Sequence, residues 1–246
     1  MHFGLPHDAS LDGFRIDRLI ALGAAVQIPL LIVLALWLLG AALVWGRRRV
    51  AAGASVGHRL PIALSLLALS LLAAEDAVSW VESNRDLDLH FWNFGAAEAD
   101  PRTIRIEVDA HQWAWLVRYA GPDGKFNSAD DAVTLDDLRI PVGTPILIEL
   151  TSTDVIHDFY LPNFRLKQDA IPGRVTRMTF TARETGEYEI ACSQHCGVNH
   201  YKMRGILTVL EPAAYRAWLA GASTASSELY DPEDTGAHWG WAWKEP

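Results

Sequence analysis

From Leu19 to Gly46 the chain runs for 28 residues without a formal charge, dominated by Leu, Ala, Val and Ile. A helix needs roughly 20 such residues to cross a bilayer, so this run predicts a transmembrane helix over about 19–46. A second apolar run starts at Leu60 and stays uncharged for 15 residues before Glu75 and Asp76 interrupt it; Ala77, Val78, Trp80 and Val81 then resume. Taken as a second span over about 60–81, it places both acids near an interface, a depth that also suits Trp80. The competing reading of this second run is a buried core helix.

Arg47, Arg48, Arg49, His58 and Arg59 lie between the two runs, with no acid among them. The positive-inside rule puts this short loop in the cytoplasm and both chain termini outside. The first run is too long for the apolar part of a signal peptide, and its basic cluster follows it, so it is expected to stay as an anchor. Residues 1–82 are thus read as an N-terminal segment and a helix hairpin. The polar and aromatic stretch 83–102 reads as a linker, or as a surface for a partner subunit.

Beyond it the period changes. Short β-type runs begin at Arg105, Leu138, Pro145, Arg174, Gly186 and Gly205, separated by Gly, Pro, Asp and Asn clusters. This is the pattern of an antiparallel sandwich or barrel, assigned to 103–212. Gly121 to Asp131, GPDGKFNSADD, is dense in turn formers and reads as a long hairpin loop. Its acids do not have the spacing of an EF-hand calcium loop. A short amphipathic helix starts at Ala213, and a tail with Trp239, Trp241 and Trp243 completes the segment 213–246.

From Glu82 onward there are 25 Asp and Glu against 15 Lys and Arg. A net charge near −10 argues against nucleic acid and suits a basic partner, although plain solubility explains it equally well. The only cysteines are Cys192 and Cys196, and no CxxCH motif for covalent haem is present.

Those cysteines open the stretch CSQHCGVNHYKM, Cys192 to Met203, which gathers two thiols, imidazoles and a thioether within twelve residues. Such soft and borderline ligands favour copper. A single copper with one Cys, two His and a distant Met is the blue-copper arrangement, but here a second thiolate could bridge two metals. The further imidazole must come from elsewhere, and His157 in DVIHDF is the candidate. Zinc is the competing metal; Met203 and the absence of a CxxC pair stand against it.

The stretch resembles the copper-binding loop of cytochrome c oxidase subunit II, CSxxCGxxHxxM, at every fixed position. HQWAW from His111, DVIHDFYLP from Asp154 and KQDAIPGR from Lys167 resemble the same family's landmarks in the same order. The resemblance implies an all-β cupredoxin-like sandwich preceded by an N-terminal two-helix transmembrane hairpin. It implies a dinuclear copper centre, CuA, with Cys192 and Cys196 bridging and His157 and His200 as terminal imidazoles. Met203 would be the weak ligand of one copper and the backbone carbonyl of Gln194 that of the other. Trp113 would be the point where electrons enter.

Haem would reside only in partner subunits: oxidase subunit I, the haem-copper core, among other oxidase subunits. The implied role is passage of electrons from a donor such as cytochrome c to haem in subunit I, where oxygen becomes water. The implied setting is a bacterial plasma membrane, with the copper domain on the periplasmic side. Asp169 and Arg174 would lie toward subunit I. His195 occupies a variable position and is expected to be exposed or behind a ligand, while His111 reads as structural. Trp113, Trp115 and Tyr119 would also pass for an aromatic core stripe.

Three positions depart from the family. Gln194 stands where the family has a Glu that reaches a magnesium at the junction with subunit I; an amide is a weaker ligand for a hard cation, so that site is not carried over. Arg118 replaces an acid of the family's cytochrome c docking face. The second helix has no acid near its cytoplasmic start. A nitric oxide reductase whose second subunit carries CuA remains an alternative, and a membrane-tethered copper chaperone is a more distant one.

Overall fold

The computed structural model describes residues 4–45 and 59–229. The basic loop after the first helix, except Arg59, and the tryptophan-rich tail fall outside them. The described chain forms two compact units, one over Arg15–Leu87 and one comprising the residues before Arg15 and those from Asp88 onward.

The first unit is a pair of helices, α1 (Gly13–Trp45) and α2 (Arg59–Asp86). Both pass the length and hydropathy test for a membrane span, with almost none of their apolar windows buried. Leu31, Leu36, Leu43, Leu64 and Leu69 are all more than half exposed. A core helix of a soluble protein would hide these side chains, so the buried-helix reading of the second run fails. Glu75 is buried, accepting from Ser79 Oγ at 2.9 Å and from Gln27 Nε2 of α1 at 3.4 Å. An acid within an apolar hairpin persists where it faces the neighbouring helix and finds donors. Asp76 beside it is exposed.

In the second unit, the stretch read as a linker is mostly helical. After α2 come a π-helical turn, Leu87–Phe91, and α3 (Phe94–Ala99), whose first turn is capped by Asn93 accepting from Ala96 N. Arg177 of β8 (Thr176–Thr181) fastens α3, lying over the Phe94 ring and pairing with Glu98 at 2.8 Å.

The remaining strands are β1 (Ile104–His111), β2 (Ala114–Tyr119), β3 (Ala132–Leu135), β4 (Asp137–Pro141), β5 (Pro145–Ser152), β6 (His157–Leu161), β7 (Leu166–Ala170), β9 (Gly186–Cys192) and β10 (Arg204–Leu210). They form two five-stranded sheets, β3-β2-β1-β5-β8 and β4-β10-β9-β6-β7. Two pairings, β1 with β5 and β4 with β10, are parallel, where the sequence pattern suggested antiparallel strands throughout. The chain changes sheet between such partners, so they meet running the same way. Inward residues follow the strand period: Ile106, Val108 and Ala110 of β1 face Ile190, Leu207 and Val209 across the core. Trp115 and Tyr119 lie in that core, and Tyr119 packs edge-to-face with Trp218 of α4 (Pro212–Leu229).

The residues before α1 were not read as part of this unit, yet they strap its edge. Ala9 N donates to the Asn163 carbonyl, Arg183 N to the Ala9 carbonyl and Leu11 N to the Thr181 carbonyl, each within 3 Å. The long loop does join two antiparallel strands, β2 and β3.

Arg118 corrects the sequence reading. It is 2 % exposed, bonded to Glu107, donating to Asn127 Oδ1 at 2.7 Å and lying 3.7 Å from Asp131. It anchors the hairpin loop to the sheet and contributes nothing to a docking face.

Asp109, next but one on β1, is buried, with one carboxylate oxygen lacking a hydrogen-bond partner. Burial, reinforced by the charge of Asp154, pushes its carboxyl up to about 7 against the pull of His157 and Arg118. A carboxyl raised in the folded state weakens folding: the penalty is absent below the unfolded value near 4, grows as pH rises, and is complete above about 7. Asp109→Asn should therefore stabilise the protein at pH 8, by at most about 4 kcal/mol, and leave it nearly unchanged at pH 4. Denaturant unfolding at the two pH values measures this, and an equal effect at both would contradict it.

Candidate metal centre

The site forms at one rim of the sandwich, where β9 lies between β6 and β10. Phe159 of β6 pairs with Cys192 of β9, and Ala191 of β9 with Arg204 of β10. His157 opens β6, Cys192 ends β9 and Met203 immediately precedes β10, so register alone gathers three donors. Cys192 N donates to the Met203 carbonyl at 3.2 Å and Ser193 N to the Asp158 carbonyl at 3.1 Å, closing the loop onto both neighbours. A single 3-10 turn, His200–Lys202, then brings His200 back toward the cysteines.

The donor atoms converge. The Cys192 and Cys196 sulfurs are 3.7 Å apart, and Cys196 Sγ lies 3.6 Å from His200 Nδ1 and 3.7 Å from Met203 Sδ. His157 Nδ1 lies 3.1 Å from Met203 Sδ, and the Cys192 thiol is 3.2 Å from the Gln194 carbonyl oxygen. His157, Cys192 and Cys196 can place their ligand atoms within 4.8 Å of one another. The structure thus brings together all six donors expected from the sequence. His157 is 0 %, Met203 1 % and Cys196 3 % exposed.

Around this cluster the fold fixes orientations. His157 Nε2 is 2.8 Å from Asp154 Oδ1, which leaves Nδ1 aimed at the sulfurs. The Trp115 ring packs edge-on to the imidazole at 6.0 Å. Trp113 lies in the turn between β1 and β2, off the core stripe of Trp115 and Tyr119. A Cβ built on Gly197, at φ +123°, would lie 3.2 Å from its ring, which shows how closely the ring covers the cysteine loop. His195 is exposed, its ring 5.7 Å from that of His200. Asp169 and Arg174 are both exposed. The sequence reading missed Asp154 and Gln112 as supports of the ligands; no motif marks them, because their role depends on two loops meeting.

Proton distribution suits a cation. Burial disfavours a Cys192 thiolate, but hydrogen bonding to His157 and to the Asp158 and Gln194 backbone outweighs it and lowers the thiol to about 6. Burial and then the neighbouring Cys192 charge push Cys196 up to about 12. One thiolate is ready and the second resists ionisation in the absence of added positive charge. Two thiol sulfurs, two imidazoles, a thioether and a carbonyl, with the thiols, His157 and Met203 buried and His200 half-buried, fit copper by softness.

Residues 104–210 match the family model described as cytochrome c oxidase subunit II, periplasmic domain. The chain is 34 % identical over 141 residues to the alternative cytochrome c oxidase subunit 2 of Bradyrhizobium diazoefficiens, covering 48 % of this chain and 51 % of that protein. It is 28 % identical over 249 residues to cytochrome c oxidase subunit 2 of Cereibacter sphaeroides, covering 89 % of this chain and 77 % of the relative. Among solved structures, the periplasmic domain of cytochrome oxidase subunit II from Bradyrhizobium japonicum is 29 % identical with a TM-score of 0.45, covering 50 % of this chain and 94 % of that one. The chain therefore spans about half the length of the first of these relatives.

Metal binding at these thiols must displace protons, so affinity should fall as pH falls. The decline should steepen below about pH 6, where Cys192 also takes up a proton. Competition with a chromophoric copper chelator at pH 5.5 and 7.5 tests this; equal affinity at both would show that these thiols are not the ligands.

Proposed function

We propose, on the premise that this chain belongs to the cytochrome c oxidase subunit II family, that it is the electron-accepting subunit of a respiratory haem-copper oxygen reductase. The convergence of two cysteines, two histidines, Met203 and the Gln194 carbonyl in one cluster carries this reading. A dinuclear copper centre, CuA, held there would supply one-electron redox chemistry. Cys192 and Cys196 would bridge, and His157 and His200 would bind at either end. Met203 and the Gln194 carbonyl would be the weak ligands.

The protein's part is to keep these donors fixed. Neighbouring strands carry His157, Cys192 and Met203, so their spacing is held by backbone hydrogen bonds in either redox state. Burial excludes water from the sulfurs. Trp113, lying against the Cys196–Gly197 peptide, offers an aromatic surface between an external donor and the cluster. Val155, Ile156, Val198 and Tyr201 are exposed on the loops that carry the ligands and provide apolar area for docking. The acidic balance of the chain favours a basic donor such as cytochrome c. With Arg118 buried, that balance is not locally offset at this position.

In this reading the two helices anchor the chain in a bacterial plasma membrane beside subunit I. The β domain faces the periplasm, and subunit I holds haem and reduces oxygen. A nitric oxide reductase is the second reading, favoured by the neutral Gln194. Consumption of oxygen against nitric oxide by the purified complex separates the two. A copper chaperone fits less well, because exchange sites are open while His157, both cysteines and Met203 are buried.

The domain from about Arg102 is expected to bind copper as a pair, about two ions per chain, with intense sulfur-to-copper absorption. A single copper, or zinc without such bands, would overturn the dinuclear assignment. Gln194→Ala should leave that absorption nearly intact, since the peptide oxygen is the ligand; loss of one copper would contradict it. Trp113→Ala should keep its copper yet take up electrons more slowly at every salt concentration, whereas added salt should slow the parent by screening its acidic charge. Uptake as fast as the parent's would remove Trp113 from the route.

A further inference from the structure

Gln112 joins the two loops that supply the metal ligands. Its backbone N–H donates to Asp154 Oδ2 at 2.6 Å, and its side-chain amide donates to the Cys196 carbonyl at 2.7 Å. Asp154, through its other oxygen, holds His157 Nε2 at 2.8 Å. From the Cys196 peptide through Gln112 and Asp154 to the His157 imidazole the connection is therefore continuous. The amide can act here only by its nitrogen, because a carbonyl facing it needs a donor. Gln112 is itself exposed, so core packing does not account for its placement.

The opposite side of the contact is shaped for this residue. Gly197 follows Cys196 at φ +123°, and a Cβ there would stand 2.8 Å from Gln112 Nε2. A side chain at 197 would thus displace the amide as well as strain the backbone. The approach of Gln112 to the Cys196 carbonyl depends on the space that Gly197 leaves.

We propose that Gln112 is a positioning residue for the metal centre. It locks the peptide plane after Cys196, which fixes where that sulfur points, and it ties this plane to the acceptor that orients His157. The adjoining Trp113 ring is held over the same peptide by the same contact. Hydrogen-bonding partners behind metal ligands commonly change affinity or activity by 10–100-fold when removed. The side chain of Gln112 reaches Cys196 through its carbonyl, while the backbone N–H holds Asp154 whatever the side chain, so a side-chain substitution disturbs the Cys196 end of the cluster. This inference rests on the copper reading above.

The test uses the full-length chain in detergent, loaded with copper, comparing the parent with Gln112→Leu and Gln112→Lys. The Leu variant keeps the backbone N–H to Asp154 but has no side-chain donor, while Lys restores an N–H donor at the same position. The Leu variant is expected to bind copper about 10-fold more weakly. At full loading, its sulfur-to-copper bands and midpoint potential should be displaced from the parent's. The Lys variant should move both back toward parental values. If the Leu variant matches the parent in affinity, bands and potential, or if Lys behaves as Leu does, the positioning role is overturned. If the parent itself binds no copper, the proposed function fails first and this inference with it. A parent with normal copper and unaltered variants would overturn only the role of Gln112.

Discussion

The metal-binding rim depends on one strand, β9, keeping register with both of its neighbours. Its last residue, Cys192, pairs with Phe159 of β6, while Ala191 pairs with Arg204 of β10. Because side chains alternate along a strand, a one-residue slip on either side would turn a donor to the opposite face. His157, Cys192 and Met203 are consequently placed by the backbone hydrogen bonds of the sheet. Cys196 and His200 lie on a loop instead and need further ties. The 3-10 turn at His200 and the contact of Gln112 with the Cys196 carbonyl supply them.

The two kinds of donor differ in how legible they were. Cys192, Cys196, His200 and Met203 are close in sequence, and their spacing revealed them at once. His157 lies 35 residues before Cys192 and was found through its own local motif. Asp154 and Gln112 stand in the sequence only as letters within DVIHDFYLP and HQWAW. Their roles arise when the β1–β2 turn, the loop before β6 and the cysteine loop meet in space, and no local pattern encodes that meeting. Among the strands, the apolar runs were legible, five-residue β4 included, and two polar or very short strands were not. β3, with four residues, and β7, reading LKQDA, carry too little apolar alternation to stand out, and the sheets recruit them by pairing. The strap at Ala9 was equally hidden, because a few backbone hydrogen bonds leave no compositional trace.

Charge was the least legible property, since its effect depends on surroundings. Arg118 looked like a surface substitution, yet its guanidinium lies under the hairpin loop with Glu107, Asn127 and Asp131 around it. A buried guanidinium persists when its donors are matched, and here the match holds a loop that has few apolar residues of its own. Glu75 is enclosed by Gln27 of α1 and by Ser79, a contact that its own sequence surroundings do not show. In both cases a polar side chain on a neighbouring element decides the outcome, and sequence alone does not say which elements are neighbours.

The same burial has opposite consequences for filling the cluster and for using it. In a dry pocket a second thiolate beside Cys192 is costly, which is why Cys196 holds its proton so firmly. A cation removes that cost by balancing both sulfurs, so the pocket favours an occupant that brings positive charge and soft-ligand affinity together. Once both thiols are ionised, the walls that raised the cost leave the sulfurs little room to move. Trp115 packs against His157, Asp154 fixes its tautomer and Gln112 restrains the peptide beyond Cys196. Electron transfer is fast when little rearranges between oxidised and reduced forms. The restraint comes from the surrounding sandwich and from an exposed amide that takes no place in the core, so the rim is held rigid without altering the packing between the sheets.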